Sequence, residues 1–168
     1  MAYAVLEHPP SAANPLDAVE QITLANDWPF ERRGEEEIVV EVAGKDCTHR
    51  LWFAWHAGRE TLHLTCAFDM KVPEARRAPV FPLLASINER LWIGHFDLFR
   101  DEGMVAFRHA VLLRGGGPGA SPEQLSELIE VALSQCERYY PVFQFVIWGG
   151  MTPADAMTAA LLETVGEA

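Results

Sequence analysis

Apolar residues recur at every second position through the middle of the chain, between Trp28 and Met70. Strict alternation of apolar and polar residues is typical of a β-strand with one buried face. Three such runs follow one another along this stretch. Their apolar positions are Ile38, Val40 and Val42, then Leu51, Phe53 and Trp55, then Leu62, Leu64, Cys66 and Phe68. The pattern predicts at least three strands here.

The turns between these runs predict how the strands pair. A loop at residues 43–46 places Val40 opposite His49, and a turn at Gly58 and Arg59 places Phe53 opposite Leu64. Because a slip of one residue would turn every side chain to the other face, each turn is a test of the pairing. Both turns put the large aliphatic residues on one face, which indicates an antiparallel meander.

A further hairpin is predicted at Glu102 and Gly103. It places Leu98 opposite Phe107 on the apolar face. On the other face it places Asp97 opposite Arg108, a favourable pair of opposite charges.

Four segments have the spacing and the start signals of helices. Asn14 and Pro15 begin the first, and a stripe from Val80 to Leu91 forms the second. A capping box at Ser121 begins the third, which Pro141 is expected to kink or interrupt. The fourth begins near Pro153. The order of elements predicts an α+β fold with a single antiparallel sheet of five to six strands packed against helices. We expect residues 1–14 to be disordered or loosely packed and residues 15–168 to form one domain.

The charge balance excludes some classes of partner. Among 168 residues, 13 Lys and Arg stand against 24 Asp and Glu, a net charge of −11. Proteins that bind nucleic-acid backbones need a basic surface, and anionic membranes also attract basic segments. We therefore expect no nucleic-acid partner and no membrane partner. The three widely spaced cysteines and the absence of a leader pattern favour the cytoplasm.

The histidines and cysteines give little support for a metal site. His49, His56 and His63 lie seven residues apart, but the predicted register places His49 on the apolar face and the other two on the opposite face. Two ligands are too few for a closed zinc site. The cysteines have no metal-binding spacing and are expected to be buried and inert. The sequence predicts no metal, no cofactor and no catalytic residue.

A glycine-rich run supports an alternative function. Gly115-Gly116-Gly117-Pro118-Gly119 precedes a predicted helix, where an anion can bind, but it lacks the residues of a phosphate-binding loop. A flexible connection explains the run equally well. The alternative is a small-molecule-binding protein or an unrecognised hydrolase, with a pocket near His56, His63 and this loop.

Three aromatic residues have no place in the predicted core. Trp52 and Phe99 lie on the sheet face opposite the aliphatic residues, and Trp92 flanks the stripe of the second helix. Either the C-terminal helices cover these residues, or another chain binds there. We take Trp52, Trp92 and Phe99 as candidate protein-interaction residues.

Several stretches resemble a known family. They are Ile87-Asn88-Glu89-Arg90, Ile93-Gly94-His95-Phe96-Asp97-Leu98, the hairpin from Asp101 to Arg108, Cys136-Glu137-Arg138-Tyr139-Tyr140-Pro141 and Trp148-Gly149-Gly150. The chain resembles the YbjN-like family of bacterial sensory transduction regulators, which is similar in fold to the type III secretion chaperones.

The resemblance implies a non-enzymatic regulator or a chaperone-like adaptor that binds a protein partner. It supplies no catalytic residue. Asn88 is interpreted as structural, with an amide that ties the helix end to the turn at Gly94. Since secretion chaperones of this fold are typically dimers, the resemblance also favours a homodimer.

Overall fold

A computed structural model describes residues 13–114 and 119–165, with the side chains of residues 161–165 left aside. Within these residues, four α-helices and six strands form the fold. The helices are α1 (Pro15–Ala25), α2 (Val80–Asn88), α3 (Pro122–Ile147) and α4 (Pro153–Val165). The strands are β1 (Phe30–Arg33), β2 (Glu37–Ala43), β3 (Thr48–His56), β4 (Thr61–Lys71), β5 (His95–Phe99) and β6 (Met104–Leu112).

The strands form one antiparallel sheet in the order β1-β2-β3-β4-β6-β5, so the predicted α+β architecture is confirmed. The expectation for residues 1–14 falls largely on residues 1–12, which lie outside the described part of the chain. The same is true of residues 115–118 in the glycine-rich run.

One of the three predicted registers is correct, and two are wrong by two residues. The Gly58 turn pairs Phe53 with Leu64 as predicted. Val40 instead lies opposite Leu51, because the loop spans residues 44–47 and closes with a hydrogen bond from the Gly44 N–H to the Cys47 carbonyl. A shift of two residues keeps each side chain on its face, so the prediction of the faces survives the error.

The β5–β6 hairpin has the same error. Its loop spans residues 100–103, and the Gly103 N–H donates to the Phe99 carbonyl at 2.7 Å. Leu98 therefore faces Val105 rather than Phe107.

The helices pack on one face of the sheet, and the predicted sheet core is buried there. The sheet residues predicted to be buried are Ile38, Val40, Leu51, Phe53, Leu62, Leu64, Phe68, Leu98 and Phe107, and all of them are buried. The helix α3 continues through Pro141, so the expected interruption does not occur. Its neighbours Tyr140 and Val142 are buried, and we attribute the continuity to this packing, which outweighs the hydrogen bond that proline cannot make.

Asn88 forms side-chain hydrogen bonds with the backbone of β5, an edge strand of the sheet. Its side-chain amide donates to the Phe96 carbonyl at 3.0 Å, and its side-chain oxygen accepts from the Phe96 N–H at 2.8 Å. The structural role expected of Asn88 is therefore correct, with the tie lying two residues beyond Gly94. The next outward N–H of β5, on Leu98, donates to the Asp97 carboxylate at 2.9 Å. Both contacts occupy backbone groups that an edge strand would otherwise offer to another chain.

Candidate functional site

The sheet has a second face, opposite the helices, which we call the open face. The side chains that project from it follow from the pairing of the strands. They include Glu31, Arg33, Val39, Glu41, Arg50, Trp52, Ala54, His56, His63, Thr65, Ala67, His95, Asp97, Phe99, Ala106 and Arg108.

Trp52 is the most exposed tryptophan or phenylalanine of this face, with 45% of its surface accessible, although Leu112 at the end of β6 is more exposed, at 78%. It lies opposite Val39 on β2 and Thr65 on β4. A shallow depression of about 500 Å³ extends from Trp52 and Val39 to Pro29 and Phe30 on β1. Four apolar and four charged residues line this depression.

Two ion pairs flank Trp52. The Arg33 guanidinium lies 3.0 Å from the Glu31 carboxylate, and the Arg50 guanidinium lies 3.1 Å from the Glu41 carboxylate. All four side chains are about half exposed or more, so each pair contributes little to stability. They place charges of both signs around Trp52.

Arg108 organises the other end of the open face. Its guanidinium pairs with Asp97 at 3.1 Å, lies 3.5 Å from the His63 Nε2 atom and stacks over the Phe99 ring at 5.1 Å. This stacking partly covers Phe99. Three strand spacings, about 14 Å, separate the strand of Trp52 from the strand of Phe99. The two aromatic residues therefore share a face without forming one cluster.

Trp92 lies elsewhere. It is fully exposed in the segment after α2, in a depression that also contains Arg138 and Tyr139 of α3. The structure thus brings two of the three candidate interaction residues to one face and separates the third. The alternative that the C-terminal helices cover Trp52 is wrong, since α3 packs on the opposite face.

His56 and His63 lie on the open face as predicted. His56 is exposed, whereas His63 is partly buried beside Arg108. Burial lowers the pKa of His63, and the nearby Arg108, His95 and His109 lower it further. Because these groups are cationic or imidazole groups rather than carboxylates, His63 lacks the surroundings of a general base held by an acid.

A cleft of about 480 Å³ lies between the end of β6 and the start of α3. It is lined mainly by apolar residues, among them Leu113, Leu125 and Leu128, together with His109 and Gly119. The part of the glycine-rich run that the structure describes therefore adjoins His109 rather than the expected His56 and His63.

Cys66 and Cys136 come together with His49 in the interior. Ligand atoms of His49, Cys66 and Cys136 lie within 4.8 Å of one another, and these three residues are at most 1% exposed. The Cys136 and Cys66 sulfur atoms are 3.4 Å apart. Cys47 lies closer to the surface, with its sulfur 3.9 Å from the His49 Nδ1 atom. Burial raises the pKa of the Cys136 thiol and lowers the pKa of His49.

The sequence analysis missed this cluster, although part of its signal was available. The correctly predicted register pairs Leu51 with Cys66, and His49 lies two residues before Leu51 on the same face. Cys136 belongs to the apolar stripe of α3. The sequence pattern did not predict that α3 packs on β4, because this contact depends on tertiary structure.

A sequence profile of the YbjN family, described as "Putative bacterial sensory transduction regulator", matches residues 15–145. The chain belongs to the YbjN family. The match spans all six strands, and so it includes the open face and the cysteine cluster.

The fold of this YbjN-family chain is also similar to a solved structure, the crystal structure of YbjN, a putative transcription regulator from E. coli. The TM-score is 0.51 with 14% sequence identity, and the alignment covers 79% of this chain and 87% of that one. At this identity the similarity concerns the fold alone. No curated protein sequence matches the chain significantly. Within residues 13–114 and 119–165, none of the helices has the length and apolar content that crossing a bilayer requires.

Proposed function

We propose that this YbjN-family chain is a non-enzymatic, chaperone-like regulatory module of the bacterial cytoplasm that binds protein through the open face of its sheet. The observation that carries the proposal is the exposure of Trp52 on a sheet face that the described helices leave free. Tryptophan and arginine are the residue types most enriched where binding energy is concentrated in protein interfaces. Trp52 has an arginine on each side, Arg33 and Arg50.

The occupant that we propose for this face is a second copy of the chain. Each half of the surface around Trp52 carries an acidic and a basic side chain side by side, in the pairs Glu31–Arg33 and Glu41–Arg50. A second copy facing this surface would therefore meet charges of both signs rather than an excess of one sign. An isologous contact favours such a surface, because the same patch of each copy faces the other.

The strand edges do not supply this interface. Asn88 and Asp97 occupy the outward backbone groups of Phe96 and Leu98 on β5, and the other edge strand is only four residues long and carries three charged side chains. Short, charged edge strands discourage pairing with another sheet. Association through the face is therefore more consistent with the structure than association through an edge.

The non-enzymatic part of the proposal is supported by the surroundings of the histidines on the open face. His63 lies 3.5 Å from the Arg108 guanidinium, and no carboxylate is among the charged groups that shift its pKa. The cleft beside His109 is the remaining support for the small-molecule alternative, and ligand screening by thermal shift would test it.

Light scattering after gel filtration tests the homodimer. We expect a mass near twice 18.7 kDa at tens of micromolar. A dimer that is stable at this concentration would have to bury on the order of 1,200 Å² in total. Trp52→Ser should shift the mass towards the monomer. Trp92→Ser is the matched control, since Trp92 is fully exposed but lies away from the open face, and it should leave the dimer intact.

Two results would contradict the proposal. A monomeric mass at every concentration would exclude the second copy as the occupant. A dimer that persists in Trp52→Ser would place the interface outside the open face.

A further inference from the structure

We propose that the buried cluster of His49, Cys66 and Cys136 binds a Zn²⁺ ion, with Cys47 as the fourth ligand. The cluster is distinct from the open face, because its residues lie on the covered side of the sheet. It joins three elements: β3 supplies His49, β4 supplies Cys66 and α3 supplies Cys136. A metal ion bound here would link the long helix to the centre of the sheet.

The distances are close to those that zinc requires. With Zn–S bonds of about 2.3 Å and Zn–N bonds of about 2.0 Å, tetrahedral ligand atoms lie about 3.3–3.8 Å apart. The two buried sulfur atoms are 3.4 Å apart, and all three ligand atoms lie within 4.8 Å of one another. Small side-chain rotations would therefore bring the three atoms to bonding distance of one ion.

His49 brings a buried imidazole ring to the cluster. It is 1% exposed, and its Nε2 atom has no hydrogen-bond partner in the described structure. The other ring nitrogen, Nδ1, lies 3.9 Å from the Cys47 sulfur, so it is the nitrogen placed to bind an ion together with that thiol. The absence of a side chain at Gly44 leaves the ring its space, because a Cβ atom there would lie 2.5 Å from Nε2.

The donor set selects the metal. Thiolate and imidazole ligands favour zinc over magnesium or calcium, which prefer oxygen ligands. Cys47, partly exposed and 3.9 Å from the Nδ1 atom of His49, is placed both to admit the ion and to complete four-fold coordination. Each bound thiol would release one proton to solvent, and no electrons are transferred.

This proposal replaces the expectation of a metal-free chain. That expectation compared the three evenly spaced histidines with one another and treated the cysteines as isolated apolar residues. The spacing along the chain is irregular because the ligands come from two strands, a turn and a distant helix.

The test uses the full chain, reduced and kept without oxygen. Titration with Co²⁺, a spectroscopic substitute for zinc, should give thiolate-to-cobalt charge-transfer absorption and tetrahedral visible bands that saturate at one equivalent. Zn²⁺ should then displace the cobalt. At a free zinc concentration about a hundred times the dissociation constant, the ratio of folded to unfolded protein should rise about a hundredfold, raising the melting temperature.

Variants assign the ligands. Cys136→Ser should abolish the charge-transfer absorption, and Cys47→Ser, at a partly exposed position, should weaken binding about tenfold or more while the protein stays folded. His56→Asn is the matched control, because it removes an exposed histidine and should bind cobalt as the wild type does.

Three outcomes would overturn the proposal. The first is the absence of charge-transfer absorption in the reduced wild type. The second is unchanged cobalt binding in both cysteine variants. The third is a Cys66–Cys136 disulfide, detected as the loss of two hydrogen atoms from the intact mass, in a protein that binds no metal after reduction.

Discussion

The two faces of the sheet differ in what their side chains contact, although both come from the same strands. Phe53 and Trp52 are neighbours on β3, yet Phe53 is fully buried and Trp52 is 45% exposed. On the covered side, Phe68, Phe96 and Phe143 pack with ring centroids 5.5–5.9 Å apart. On the open side, arginine and carboxylate side chains pair beside isolated aromatic rings.

The difference indicates that alternate residues of one strand supply the core packing, while the residues between them stay accessible. Because the side chains of a strand alternate between faces, a substitution on the open face does not replace a core side chain. Substitutions on the two faces should therefore differ in effect, and the comparison can be tested at adjacent positions.

The largest effect is expected for Phe53→Ala. Removing a fully buried phenylalanine should lower the free energy of unfolding by about 3–5 kcal/mol, because the side chain leaves a cavity in a close-packed core. Trp52→Ala, one residue away, should cost about 1 kcal/mol or less in the monomer. Urea unfolding of both variants at low protein concentration measures the difference, and equal losses would mean that the open face is not free of packing.

The faces could be predicted because the alternation of residues determines them, whatever the exact pairing. The register of β3 with β4 was predicted correctly as well. The registers of β2 with β3 and of β5 with β6 were predicted wrongly. The four-residue loops at 44–47 and 100–103 are closed by backbone hydrogen bonds, which do not depend on a particular side chain.

The candidate sites differ in the same way. Alternation alone places Trp52 and Phe99 on the open face, but it has no bearing on Trp92, which lies outside the strands. The cluster of Cys66, Cys136 and His49 depends on the docking of a helix 70 residues away from Cys66. Contacts of that range follow from tertiary packing and not from local pattern.

A smaller effect is expected for Asn88→Ala, which tests how the covered face ends at the edge strand β5. The variant removes both hydrogen bonds to Phe96 and should lower the free energy of unfolding by about 1–3 kcal/mol. Asn88→Asp keeps the acceptor but loses the donor, so it should retain part of the stability at most. The exposed neighbour Glu89→Ala is the control and should change stability by about 0.5 kcal/mol or less. Full stability in Asn88→Ala would show that the edge is held by other contacts.

The smallest effect concerns the titration of His63 on the open face. Burial first, and then Arg108, His95 and His109, lower the pKa of His63 in the folded protein. The unfolded chain therefore takes up a proton at a higher pH than the folded chain does. Folding stability should fall as the pH drops through about 6.5, the ordinary histidine value, and should stop falling once the folded His63 is protonated as well.

Two variants isolate this contribution. His63→Gln should flatten part of the decline in stability between about pH 7.5 and pH 5, measured as urea midpoints. Part of the decline should remain, because burial and His95 also lower the pKa of His109, and burial lowers the pKa of His49. Arg108→Gln keeps His63 but removes one cause of its low pKa, so it should flatten the decline less than His63→Gln does. A decline in stability that is as large in His63→Gln as in the wild type would contradict this prediction. The proton uptake that destabilises the fold would then occur on groups away from the open face.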